Sequence, residues 1–161
     1  LLRTRHTCDI INSNKIKVIY DDRIEERNCG VLTNTKIDNF YYTEYWNYYS
    51  KVKIDNLETV PELFKRVNLF LDEIKKKYSG QNILLVTHGG VARAIHFYFN
   101  ELPEDGQVEK YLPDNCEIRE YSIIHIILFQ FICQNIVSYT QTYKKQLFII
   151  NEHGMWKFVR Y

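Results

Sequence analysis

The longest regular pattern in the chain lies between Thr59 and Tyr78. There Val60, Leu63, Phe64, Val67, Leu71, Ile74 and Tyr78 recur at three- and four-residue spacing, which predicts an amphipathic helix. Thr59 or Asn56 can cap its start, Pro61 suits the first turn, and Lys75 to Lys77 suit the negative end of the helix dipole. Ser79-Gly80 stops it. The next run, Asn82 to Thr87, is apolar without alternation, as in a strand covered on both faces. His88-Gly89-Gly90 then forms a turn, and Val91 to Phe99 predicts a second helix. Helix, buried strand, glycine turn and helix together make an α/β pattern.

Weaker patterns flank this unit. Leu1 to Ile11 predicts a helix with Leu2, Cys8 and Ile11 on one buried side. Lys15 to Tyr20 alternates lysine with apolar residues and predicts a strand. Asp21 to Gly30 is a charged loop closed by a glycine. Asp38 to Tyr49 is crowded with aromatic residues and predicts a partly buried helix or lid. Cys116 to Tyr121 suits a strand, and Ile123 to Lys145 has no clean period. The end of the chain reads as two strands, Phe148 to Ile150 and Met155 to Tyr161, joined by the polar turn Asn151 to Gly154.

Composition narrows the class. A chain of 161 residues fits one domain, residues 1–161, and its 45% apolar content can fill a core. Only 6 Gly and 3 Pro exclude collagen-like and Pro/Gly-rich disordered chains. A net charge of +1, with no basic stripe, speaks against nucleic-acid binding by bulk charge. Cys8, Cys29, Cys116 and Cys133 form no CxxC pair and have no zinc spacing, which fits reduced thiols in the cytoplasm. Ile123 to Val137 is the most apolar stretch, about 15 residues against the roughly 20 of a membrane span, so no membrane is expected.

His88 is the foremost chemical candidate, because it sits where a buried strand meets a helix. Ligands in open α/β sheets bind at the carboxyl ends of strands. Gly89 and Gly90 let a ligand approach the backbone, and the helix start offers N–H groups to an anion. Arg3, Arg5 and His6 form a basic cluster, either a solvated helix face or a guanidinium fork for phosphate. Glu25, Glu26 and Arg27 are either a surface charge run or the source of a general acid. His96 is read as structural, His125 as a satisfied or surface histidine, and His153 is given no role.

Four segments, in this order, resemble the histidine phosphatase (phosphoglycerate mutase-like) superfamily. Leu1-Leu2-Arg3-Thr4-Arg5-His6-Thr7-Cys8 is similar to the family's Ser-x-Leu-x-Arg-Ala-x-Gln-Thr-Ala helix start, entered after its serine. Asp22 to Gly30 resembles the Arg-Leu-x-Glu-Arg-x-Phe-Gly loop. Leu84 to Ile95 is similar to the strand and helix around the family's second catalytic histidine. Asn115-Cys116-Glu117-Ile118 resembles its Asn-Cys-Ser-Ile strand, and Gly154 to Tyr161 its closing hairpin strand. Residues 123–146 have no counterpart and read as an insertion. The family's nucleophile is a histidine in an Arg-His-Gly motif on the first strand, and no Arg-His-Gly occurs in this chain. The expectation is a member lacking that strand and the following helix, with segment 123–146 one candidate to cover the gap.

The resemblance implies a three-layer α/β/α sandwich with a mostly parallel central sheet. It implies hydrolysis of a small-molecule phosphate ester through a phosphohistidine intermediate. His88 and Glu26 would be catalytic, and Arg3, His88 and Gly89 would bind the phosphate. Glu26 is chosen over Glu25 because it precedes Arg27, as in the family's Glu-Arg pair. Neither metal nor cofactor is expected, since arginine and histidine supply the positive charge. Mutase-type phosphoryl transfer and a non-catalytic remnant that binds a phosphorylated ligand are the alternatives. Neither substrate nor oligomeric state follows from the sequence.

Overall fold

The computed structural model describes residues 2–35, 39–114, 117–123 and 126–132. Helices α1 (Leu2–Ile11) and α2 (Asn39–Tyr45) precede the long helix α3 (Val60–Lys77). A capping box fixes the start of α3. The Thr59 hydroxyl accepts the Glu62 N–H, and the Glu62 carboxylate accepts the Thr59 N–H at 2.8 Å, so donors at the helix start find partners. Asn56, the other candidate cap, instead sits in a left-handed turn at φ 57°. Thr59→Ala is expected to cost about 1 kcal/mol, read as a lower urea midpoint at unchanged slope. The buried face of α3 is the predicted one with Phe70 added; Tyr78 at its end stays half-buried.

Strand β1 (Asn82–Thr87) follows and is buried from Ile83 onward. Helix α4 begins at Gly89 and runs to Phe99, two residues earlier than expected. The glycines therefore form its first turn rather than a separate one. His88 is the N-cap, with extended backbone at φ −121°. Its carbonyl accepts the Ala92 N–H at 2.9 Å. Together α3, β1 and α4 supply most of the core, in which Leu63, Phe70, Leu71, Ile83, Leu85 and Ile95 are fully enclosed. No helix among the described residues is long and apolar enough to cross a membrane.

Among the described residues β2 (Ile118–Ile123) and β3 (Ile126–Ile132) join β1 in a three-stranded sheet in the order β1-β3-β2. β3 is central. It runs parallel to β1, from Asn82 opposite Ile127 to Thr87 opposite Ile132, and antiparallel to β2, with Ile118 opposite Phe131. Among the described residues the sheet is thus mixed, not mostly parallel. The cause is the short link between β2 and β3, which only an antiparallel pair can accept.

Two further expectations are corrected. Lys15 to Tyr20 forms no strand. The Asn12 side chain takes both backbone bonds of Ile16, donating to its carbonyl at 2.9 Å and accepting its N–H at 2.8 Å. Lys15 turns left-handed at φ 48°. Ile16, Val18 and Ile19 still pack against the core as irregular chain. Cys8 is buried as expected and Ile11 half-buried, but Leu2 is exposed, and Thr4 and Thr7 complete the buried face of α1. The expected strands at Phe148 to Ile150 and Met155 to Tyr161, with Cys116, His125, Cys133 and His153, lie outside the described residues.

Candidate active site

β1 carries His88 to its carboxyl end, where the side chain is only 1% exposed. The face of α1 built from Thr4, Thr7 and Cys8 is small enough for this helix to lie against β1. Its first turn thereby brings Arg3 to the imidazole: Arg3 Nη2 lies 3.1 Å from His88 Nδ1. A guanidinium can only donate, so Nδ1 accepts and the proton of the neutral ring resides on Nε2. Burial, and then the charge of Arg3, push the pKa of His88 down to about 3. The ring is neutral at neutral pH. Its Nε2 is buried and has no hydrogen-bond partner among the described residues. An unmet buried donor costs about 1–3 kcal/mol, and an oxyanion beside Arg3 would meet it. Arg3 itself is an exposed residue, open to a ligand.

Glu26 arrives from the loop after the short 3-10 turn Asp22–Ile24. Thr87, the last residue of β1, donates its hydroxyl to the Ile24 carbonyl at 3.0 Å and ties this loop to the strand. Arg66 on α3 donates to the carbonyls of Arg23 and Glu26, at 2.8 and 3.3 Å, while paired with Glu58. Glu26 Oε1 then accepts the N–H groups of Gly90 at 3.0 Å and of Arg27 at 2.9 Å. A Cβ at Gly90 would stand 2.4 Å from that oxygen, so the glycine lets the carboxylate approach the backbone this closely. Burial raises the pKa of Glu26; the two N–H bonds, Arg3 and Arg93 pull the other way. A carboxyl raised by burial keeps its proton closer to neutral pH and suits a general acid.

Of the predicted residues, His88, Arg3 and Glu26 converge here, and Gly89 opens α4 directly after His88 and is buried. Arg5 diverges, stacking on Tyr20 with 5.0 Å to the ring centroid, and His6 is exposed. Glu25 ends the 3-10 turn. His96 stacks on Tyr111 at 5.0 Å between centroids, a packing role. Sequence reasoning missed the supports. The Arg27 guanidinium donates to the carbonyls of Glu58 and Tyr45 and lies over the rings of Tyr45 and Trp46. Arg93 lies over the same Trp46. The one available signal was the pairing of basic residues with the aromatic run, which spacing alone cannot match up.

Comparison with known proteins adds an independent line. The family model described as "Histidine phosphatase superfamily (branch 1)" matches residues 1–125. The chain is 28% identical to "Phosphoserine phosphatase 1" of Hydrogenobacter thermophilus, over 78% of this chain and 61% of that protein. It is 35% identical to "Probable phosphoglycerate mutase GpmB" of Escherichia coli, over 54% of this chain and 44% of that protein. The protein of that name from Shigella dysenteriae gives the same figures, 35%, 54% and 44%. The chain thus spans less than two thirds of the length of these relatives. No solved structure matches it.

Proposed function

We propose the function of this site from one premise: the chain belongs to the histidine phosphatase superfamily. On that premise the site handles the phosphoryl group of a small-molecule phosphate ester. One observation carries the reading, the neutral His88 ring whose buried Nε2–H has no acceptor among the described residues while Arg3 holds its other nitrogen. Arg3, the His88 Nε2–H and the backbone at Gly89 grip the phosphoryl oxygens and stabilise the charge that grows on them. Glu26 handles protons. In the first half-reaction a histidine nitrogen attacks phosphorus, the ester P–O bond breaks, and the leaving oxygen takes the Glu26 proton. In the second, water attacks phosphorus, the N–P bond breaks, and the water proton passes to the Glu26 carboxylate.

That nucleophile needs an Arg-His-Gly motif, which these 161 residues do not contain. We place it outside them. Hydrolysis is accordingly assigned to a protein that carries the motif, and phosphate recognition to the residues described. The relatives named as phosphoglycerate mutases support transfer back to a substrate as the second reading. The absent motif supports a third, a phospho-ligand binder without turnover. The same proposal includes a three-layer α/β/α sandwich, one domain over residues 1–161, chemistry without a metal, and a cytoplasmic location.

The test is binding of inorganic phosphate to the full chain, followed by 31P NMR. Saturable binding is expected, about tenfold weaker in Arg3→Met and in His88→Ala, as for loss of one charge-assisted or buried bond. Hydrolysis of p-nitrophenyl phosphate is expected to be absent. Equal binding by native chain and both variants, or none by the native chain, would overturn the reading.

A further inference from the structure

Three guanidinium groups act on the Glu26 carboxylate, and they differ in what else they meet. Arg3, on α1, is open to a ligand. Arg27, beside Glu26 in its loop, is 4% exposed and has the Glu58 carboxylate nearby. Arg93, on α4, is 2% exposed and forms no ion pair among the described residues. Its Nε and Nη2 donate to the Glu109 carbonyl at 3.2 and 2.9 Å, and Nε also to the Val108 carbonyl at 3.1 Å. Its Cζ stands 3.9 Å from the centroid of the Trp46 ring. Trp46 in turn reaches Gly90, with Cη2 3.3 Å from where a Cβ would lie. The Gly90 N–H holds Glu26. The buried Arg93, Trp46 and Gly90 and the half-buried Glu26 therefore form one contiguous stack.

Carbonyl dipoles and a ring face compensate a buried guanidinium only in part. Tyr42 adds a side-chain hydrogen bond, an ionised Glu26, ahead of Glu109, adds negative charge, and Arg93 in turn favours the Glu26 carboxylate. Arg3 cannot do so throughout a reaction, because a bound phosphate would take up its charge. We propose that Arg93 is a positioning residue for Glu26, the fixed counter-charge on which the carboxylate relies once phosphate occupies Arg3. This rests on the phosphate-handling reading of the site. The groups facing Glu26 are Arg3 from α1, Arg27 from its own loop, Tyr45 from α2, and Arg93 from α4. Among them Arg93 is walled off from ligand, and of the two carboxylates that act on it Glu26 outweighs Glu109, whereas at Arg27 Glu58 outweighs Glu26.

The experiment follows the Glu26 carboxyl carbon by NMR in the full chain labelled with 13C-glutamate, assigned by its absence in Glu26→Gln. Arg93→Gln, which keeps an amide donor for the Val108 and Glu109 carbonyls, is expected to raise the Glu26 midpoint by about one pH unit. Arg93→Lys, which keeps the charge, is expected to restore most of that shift. A midpoint unchanged in Arg93→Gln would overturn the proposal, and so would a shift as large in Arg93→Lys as in Arg93→Gln. If Arg93→Gln does not fold, the native Arg93 Nε resonance decides. It should inflect at the Glu26 midpoint and lose that inflection in Glu26→Gln; no inflection sinks the idea. Phosphate binding is read separately by 31P, so failure of the phosphate reading and failure of the Arg93 proposal are distinguishable.

Discussion

Lowering the pH from 7 to 5 is expected to remove about 2 kcal/mol of folding stability through His88 alone. The sign follows from proton affinity. An unfolded imidazole takes its proton near pH 6.5, whereas the folded His88 does so only at about 3. Between those values the unfolded chain binds the extra proton. Stability from His88 is therefore full above pH 6.5 and is lost progressively as the pH falls towards 3. Glu26 works against it: its carboxyl is raised by burial, so its contribution is present below the usual glutamate range and is lost as pH rises through the folded midpoint. The two are separated by variants. Urea unfolding at pH 7 and pH 5 should show the loss in the native chain and lack most of it in His88→Gln. A native pH dependence that survives His88→Gln intact would mean that the folded ring takes a proton like an ordinary imidazole. It would also remove the argument that Nε2–H awaits an acceptor.

The residues of the proposed site were legible because each lies at the boundary of a strong local pattern. His88 follows an unbroken apolar run and emerges where β1 ends. Glu26 sits in a charged run that a glycine closes, and the structure anchors that run through Thr87 and Arg66. What stayed hidden was whatever depends on partners far apart in sequence. Nothing local shows that Arg27 and Arg93 flank one tryptophan, or that Gly90 lends its N–H to a carboxylate 64 positions earlier. The failed strand at Lys15 to Tyr20 has the opposite cause. Its alternation is genuine, but a neighbouring Asn12 side chain satisfies Ile16 more cheaply than a ladder would. β3 escaped because it lies within a stretch with no clean period. Its register emerges only from pairing with β1 on one side and β2 on the other.

Gly30→Ala is expected to cost about 3 kcal/mol or more, because two independent penalties fall on one position. Gly30 has φ +52°, and an added Cβ would lie 2.5 Å from Asn56 C and Asp55 O and 2.6 Å from Leu57 N. All three atoms are backbone, so no side-chain rotation relieves the overlap. Gly80 separates the terms: its φ is +75° with nothing within 4 Å of the added carbon. Gly80→Ala should therefore show the left-handed cost alone, about 1–2 kcal/mol. The larger value at Gly30 matters for the site. This residue seats the end of the Glu26 loop against 55–58, where Cys29 bridges to Leu57 and the Glu58 N–H donates to the Asn28 carbonyl at 3.0 Å. Pushing the two segments apart moves the loop that presents Glu26 to Gly90. The Gly90 amide resonance should therefore shift in Gly30→Ala and stay in place in Gly80→Ala. Equal stability losses in the two variants, with the Gly90 signal unmoved, would show that the 28–30 turn does not set the position of the carboxylate.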